Sequence, residues 1–121
     1  MKKILIVDDE EITRYALSET MKELGYETVE AENGYDGINI ARQELPDLII
    51  MDISMPVMNG IDAVKNIRLD PALQHIPIFM STGEEAAKSK FTKEQGTEVQ
   101  GFVEKPYKIE QIAKKIKEFL G

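Results

Sequence analysis

The sequence contains no cysteine, which excludes disulfides, thiolate metal sites and a cysteine nucleophile, and permits a reducing compartment. Its one histidine, His75, lies in a polar stretch between Pro71 and Pro77 and reads as a surface residue. Long apolar runs are missing too: Ile4–Val7 and Leu48–Met51 have four residues each, far short of a membrane span or a signal-peptide core. A cytoplasmic location without membrane insertion is expected. Positive charge is scarce, with 15 basic residues against 22 acidic ones and a net charge of −7, so a phosphate-tracking surface for nucleic acid or anionic lipid is disfavoured. There is no Ser/Gly-rich linker, repeat array or low-complexity tract, and hence no visible second module.

What is present suits a globular chain. With 121 residues, 42% hydrophobic and 31% charged, there is enough for one core and little room for another, and a single domain over residues 1–121 is expected. Apolar runs recur at Ile4–Val7, Thr28–Ala31, Leu48–Met51, Ile78–Met80 and Phe102–Val103. They lack clean alternation and helical stretches separate them, so they read as five strands covered on both faces in a parallel α/β sheet. The first helix falls at about Ile12–Leu24, closed by Gly25, where left-handed backbone is tolerated. The second runs over Tyr35–Glu44 before Pro46, and the third over Ile61–Arg68 before Asp70 and Pro71. The fourth, Glu84–Gln95, offers only Ala86, Ala87 and Phe91 as apolar contacts and should be the loosest. In the last, Ile109, Ile112, Ala113, Ile116, Phe119 and Leu120 follow the i, i+3, i+4, i+7 rule and should cap one side of the sheet.

In an open parallel sheet, ligands bind beyond the carboxyl ends of the strands at the switch in strand order. Asp8, Asp9, Glu10 and Glu11 follow the first strand, Asp52 the third, Ser81 and Thr82 the fourth, and Lys105 with Pro106 the fifth. Each has an ordinary reading when taken alone. The acidic run suits the positive end of the first helix, an effect of a few tenths to ~1 kcal/mol. Asp52 precedes Ile53, Ser54, Met55 and Pro56, which suits a turn better than a helix cap. Thr82 and Glu85 fit the Thr-x-x-Glu capping box of the fourth helix. Lys105 would be a solvated strand-end lysine, although the X-Pro bond after it is of the kind that can be cis. Together, however, they supply the complementary parts of one reaction. Converging carboxylates repel one another, and a hard divalent cation such as Mg²⁺ relieves that repulsion. An aspartate beside the cation can attack a phosphoryl group to form an acyl phosphate, with an ammonium neutralising the equatorial oxygens. Lys105 and Thr82 have the needed chemistry.

On these motifs the chain resembles the receiver domains of two-component response regulators, of the stand-alone chemotaxis type, from Lys3 to Leu120. The resemblance rests on Asp8-Asp9, on Leu48–Asp52 followed by Met55-Pro56-Val57-Met58-Asn59-Gly60, on Ser81-Thr82-Gly83 and on Lys105-Pro106. It implies a doubly wound, flavodoxin-like sheet of five parallel strands in the order 2-1-3-4-5, with five helices. It implies that Asp52 is the phosphoacceptor and that Asp8, Asp9, Asp52 and the Ser54 backbone carbonyl hold Mg²⁺, with Asp9 ahead of Asp8 as direct ligand. Thr82, the Gly83 N–H and Lys105 would contact the phosphoryl group. Phe102 would be the switch aromatic, with plain core packing as its ordinary alternative. Ser54 and Glu84, two residues beyond Asp52 and Thr82, would tune the lifetime of the acyl phosphate. The implied donor is a sensor histidine kinase or a histidine phosphotransfer protein. The implied target is a protein met through the face of the fourth helix, fifth strand and fifth helix. Asn59 stands where the family commonly has aspartate, and Gly96–Gly101 is one residue longer than the usual connection, which affects the expected shape of the output face.

Two other classes compete. A Mg²⁺-dependent phosphatase working through an aspartyl-phosphate would use the same nucleophile and cation, but no general acid or site-closing insert is evident around Asp52. A flavodoxin-like mononucleotide binder would need a phosphate loop rich in Gly, Ser and Thr after the first strand, where four acidic residues stand instead. The favoured reading is a signalling switch rather than an enzyme, limited to its own phosphorylation and dephosphorylation. With no effector in the sequence, its output would run through contacts in trans or a phosphorelay.

Overall fold

Alternate residues of each apolar run go to opposite sides of one sheet, because successive side chains of a strand point to opposite faces. The computed structural model describes every residue from Met1 to Gly121. Its strands are β1 (Lys3–Val7), β2 (Glu27–Ala31), β3 (Leu48–Asp52), β4 (Ile78–Thr82) and β5 (Gly101–Glu104). All pairings are parallel, in the order β2-β1-β3-β4-β5. Leu5, Val7, Ile49, Met51, Ile78 and Met80 form one core with Ile38 and Ala41 of α2 (Gly34–Glu44) and Val64 and Ile67 of α3 (Gly60–Leu69). Ile4, Ile6, Leu48, Ile50 and Phe79 form the other with Leu17 and Met21 of α1 (Glu11–Glu23) and Ile112 and Ile116 of α4 (Ile109–Leu120). The runs lack alternation because both faces are covered. The sheet is therefore doubly wound, as expected.

Helix ends follow local chemistry. Asn33 and Asn59 cap α2 and α3, their side-chain oxygens accepting the N–H groups of Asp36 at 2.8 Å and Asp62 at 3.0 Å, a role Ser, Thr, Asp and Asn share. The Asn at position 59 thus does the helix-capping work open to an aspartate. Gly25 takes the left-handed backbone expected of it, at φ +95°. After α2 the reversal falls instead on Leu45, at φ +47°, just before Pro46.

The fourth helical stretch is a correction. Only a 3-10 helix, Glu85–Lys90, forms where Glu84–Gln95 was expected, so this one of the five helical elements is short and not α. Of its three apolar residues Ala87 and Phe91 are buried while Ala86 is exposed, too little apolar surface to offset the cost of nucleating an α-helix. The capping box does not form either: Glu84 precedes the 3-10 helix without a side-chain cap, and Thr82 is the last residue of β4. Hydrogen bonds fix the following connection in place of apolar packing. Buried Thr97 donates to the Lys90 carbonyl at 2.8 Å and accepts the Thr92 N–H at 2.9 Å. Arg68 of α3 donates to the carbonyls of Glu98, Gln74 and Ile76 and to the Gln100 side chain, at 2.8 to 2.9 Å. The apolar stripe of α4 is also narrower than its sequence suggests. Ile109 is 50% exposed and Phe119 45%, the latter meeting Phe79 edge-on with centroids 5.2 Å apart. No helix is long and apolar enough to cross a membrane.

Candidate functional site

Strand register decides which side chains share the carboxyl rim of the sheet. Val7 lies beside Met51, Asp52 beside Ser81, and Thr82 beside Glu104, so the residues that end or follow β1, β3, β4 and β5 meet in one place. Carboxylate oxygens of Asp8, Asp9 and Asp52 lie within 4.8 Å of one another. Asp8 and Asp52 are buried, whereas Asp9 is open to solvent. Lys105 Nζ donates to Asp52 Oδ2 at 2.9 Å and stands 3.4 Å from Asp8 Oδ2.

Backbone contacts fix the two buried carboxylates. Asp8 Oδ1 accepts the Glu10 N–H at 2.9 Å, and Asp52 Oδ1 accepts the Ser54 N–H at 3.3 Å. Arg14, on α1, donates to the Asp8 carbonyl at 2.7 Å and reaches Glu30 at 3.2 Å, pinning the turn between β1 and α1. The loop after β3 returns beneath Asp52, where the Gly60 N–H meets the Ile53 carbonyl at 2.8 Å. The Lys105-Pro106 bond is cis, and the Lys105 N–H donates to the Thr82 carbonyl at 2.9 Å.

Burial raises the Asp52 carboxyl above the ordinary aspartate range and the charge of Asp8 adds to the shift, while Lys105 and the Ser54 N–H oppose it. For Lys105 burial works against the ammonium, but the hydrogen bond to Asp52 and the charges of Asp52 and Asp8 hold it well above its usual value. Two carboxylates ~5 Å apart at an effective dielectric of ~20 repel by ~3 kcal/mol before screening. Lys105 cancels only part of the charge of three carboxylates. Asp52→Asn is therefore expected to gain ~1 kcal/mol, melting about 3–6 °C above the parent chain in EDTA. Calorimetric scans of the two proteins check this, and equal or lower melting of the variant contradicts a repulsive pocket.

Of the other expected site residues, Ser54, Thr82, Gly83 and Glu84 line a cavity of about 550 Å³ together with Asp9 and Asp52. Thr82 makes no hydrogen bond to Asp52: its hydroxyl accepts the Glu84 N–H at 2.9 Å and donates to the Glu84 carbonyl at 3.2 Å. At Gly83 an added Cβ would meet only Lys105 atoms, at 3.8 and 3.9 Å, so its N–H stays reachable without glycine being required. Phe102 is half-buried, edge-on to Phe91 with centroids 5.9 Å apart and with Lys88 Nζ 5.5 Å from its own ring centroid. His75 is exposed, as expected.

One site neighbour escaped the sequence reading. The Tyr107 hydroxyl lies 2.6 Å from Ser81 Oγ and 3.5 Å from Asp8 Oδ2. Burial pushes its phenol up to about 12, with Asp8 and Asp52 adding and Ser81 and Lys105 opposing. The available signal was Ser81 itself, since a hydroxyl in a buried strand needs a partner.

Three carboxylates and an ammonium meet at the carboxyl rim of a 2-1-3-4-5 parallel sheet, the arrangement that the resemblance to two-component receiver domains implies. Residues 4–117 match the family model of the response regulator receiver domain, and the chain belongs to that family. It is 36% identical over 122 residues to Protein PilH of Pseudomonas aeruginosa, spanning 100% of this chain and 99% of that one. It is 31% identical over 120 residues to the polar-differentiation response regulator DivK of Brucella anthropi, spanning 99% and 97%. Among solved structures, the chemotaxis protein CheY4 of Vibrio cholerae matches with a TM-score of 0.89 at 32% identity over 99% of each chain.

Proposed function

We propose that this receiver domain is a phosphorylation-activated switch. Asp52 accepts a phosphoryl group from the phosphohistidine of a sensor histidine kinase or a histidine phosphotransfer protein, and the altered chain signals through protein contacts. The observation that carries this reading is a buried Asp52 with an ammonium 2.9 Å away and two further aspartates within 4.8 Å. The donor set consists of hard oxygens, with exposed Asp9 as the point of entry, and so fits Mg²⁺. Asp8, Asp9, Asp52 and the Ser54 carbonyl would hold it. Bound Mg²⁺ supplies charge neutralisation for the carboxylates and the phosphoryl oxygens.

The chain's own groups do the rest. An Asp52 carboxylate oxygen attacks phosphorus, the N–P bond breaks, and its electron pair stays on the departing imidazole nitrogen. Lys105, already beside Asp52, shifts from carboxylate to phosphoryl oxygen, a preorganised charge needing little rearrangement. The Thr82 hydroxyl turns its proton from the Glu84 carbonyl, 3.2 Å away, to a phosphoryl oxygen, joined by the Gly83 N–H. Ser54 and Glu84, flanking the path of an attacking water, set the lifetime. Phe102 carries the change to the surface formed by the 3-10 helix, β5 and α4. There a cavity of about 530 Å³ is lined by Phe102 with Lys88, Lys108 and Lys115 against the single carboxylate of Glu104, a net basic rim around an aromatic ring that suits an acidic or amphipathic protein segment. A cytoplasmic setting and a single unit over residues 1–121 accompany this reading.

Incubation with Mg²⁺ and acetyl phosphate should add one hydroxylamine-labile phosphoryl group per chain, and EDTA or Asp52→Asn should abolish it. Sustained turnover of a small phosphate ester would mark a phosphatase instead, and absence of labelling would refute the switch.

A further inference from the structure

Tyr107 follows the Lys-Pro pair and has no part in the phosphoryl chemistry described above. Its ring packs in the core shared by α1 and α4, and Lys105 Nζ lies 5.8 Å from the ring centroid. Its hydroxyl faces two groups: Ser81 Oγ at 2.6 Å and Asp8 Oδ2 at 3.5 Å. Ser81 is wholly buried, and the phenol is its only side-chain hydrogen-bond partner. Proton accounting then sets the direction. If Tyr107 donated to Ser81, the proton of this solvent-shielded serine would have no side-chain acceptor, whereas buried hydroxyls are rarely left unpaired. Ser81 therefore donates to the phenol oxygen, and the phenol O–H is left for Asp8.

Asp8 needs such a partner. Its Oδ1 is fixed by the Glu10 N–H at 2.9 Å, while Oδ2 has only Lys105 at 3.4 Å and Tyr107 at 3.5 Å. The ammonium is committed first to Asp52 at 2.9 Å and then, on the reading above, to the phosphoryl group. The phenol is the donor that stays. A closing movement of about half an ångström gives it ordinary O–H···O length. Metal-ligating carboxylates commonly depend on such outer hydrogen bonds for orientation, with a 10–100-fold loss of metal affinity when these are removed.

We propose that Tyr107, held in place by Ser81, is a positioning residue that orients Asp8 for divalent-cation binding. This rests on the Mg²⁺ site proposed above. The ring is not the agent, so Tyr107→Phe keeps its packing and its contact with Lys105 while deleting the donor.

The test is a Mg²⁺ titration followed by the amide shifts of Asp9 and Glu10, alongside melting in EDTA. It compares the parent chain, Tyr107→Phe and the double variant Ser81→Ala/Tyr107→Phe. Tyr107→Phe should bind Mg²⁺ about tenfold more weakly and melt lower, because the Ser81 hydroxyl is orphaned. The double variant should recover the melting temperature, since removing both hydroxyls leaves nothing unsatisfied, but not the affinity. Affinities within twofold of the parent, or an affinity that recovers together with stability, would show a packing role and overturn the proposal. A parent chain that binds no Mg²⁺ would overturn the underlying site as well, so the two failures are distinguishable.

Discussion

Gly60→Ala is expected to destabilise the fold by ~3 kcal/mol and lower the melting temperature by about 10 °C or more. A Cβ at residue 60 would stand 2.5 Å from the Asp52 carbonyl oxygen, 2.7 Å from Met80 Cε and 2.9 Å from Ile53 Cα. The methionine terminus can move aside, but the backbone atoms cannot without displacing the end of β3, which carries Asp52, the proposed phosphoacceptor. Phosphorylation should therefore fall more than the loss of folded protein alone explains. Gly83→Ala serves as control, because its Cβ would make only ordinary contacts at 3.8 and 3.9 Å; it should melt within about 2 °C of the parent chain. Thermal scans of both variants decide the point, and parental melting of Gly60→Ala would mean that the loop is not pressed against the strand.

Thr82→Ala should accept the phosphoryl group at Asp52 yet lose most of the structural response. The Thr82 hydroxyl donates to the Glu84 carbonyl at 3.2 Å and accepts the Glu84 N–H at 2.9 Å, so turning its proton to a phosphoryl oxygen breaks the first bond and loosens the turn. The segment it would release is the 3-10 helix, with little buried apolar surface and with Phe91 edge-on to Phe102. Elements of this kind have two arrangements that a local charge change can bias. A ~100-fold bias needs ~2.7 kcal/mol, within the reach of one charge-assisted hydrogen bond and an ion pair. Amide spectra of the phosphorylated proteins over residues 84–102 provide the readout. A Thr82→Ala spectrum matching that of the phosphorylated parent chain would leave the hydroxyl as a local turn lock and nothing more.

The strands were legible because both faces are covered, so that Ile4–Val7 and Leu48–Met51 are apolar throughout and each could be read without knowing its partner. The site followed from the same pattern, since Asp8, Asp52, Thr82 and Lys105 stand at or just beyond strand ends. What stayed hidden depends on tertiary approach. The Thr-x-x-Glu pattern at Thr82 matches a capping box, but extension of β4 through Thr82 placed that residue in the sheet. The Ser81–Tyr107 hydroxyl pair joins residues 26 apart, and no local pattern announces it. The need for glycine at residue 60 arises only because the loop returns onto β3. Ile109 fits the apolar period of α4, yet it sits in the first turn, beyond the edge of the core.

Borohydride reduction of the phosphorylated chain, followed by peptide mapping, tests the central assignment most directly, because it converts an acyl-phosphorylated aspartate to homoserine at the position that carried the phosphoryl group. The account predicts homoserine at residue 52 and nowhere else; homoserine at residue 8 or 9, or none in a chain that carries stoichiometric phosphoryl label, would contradict it.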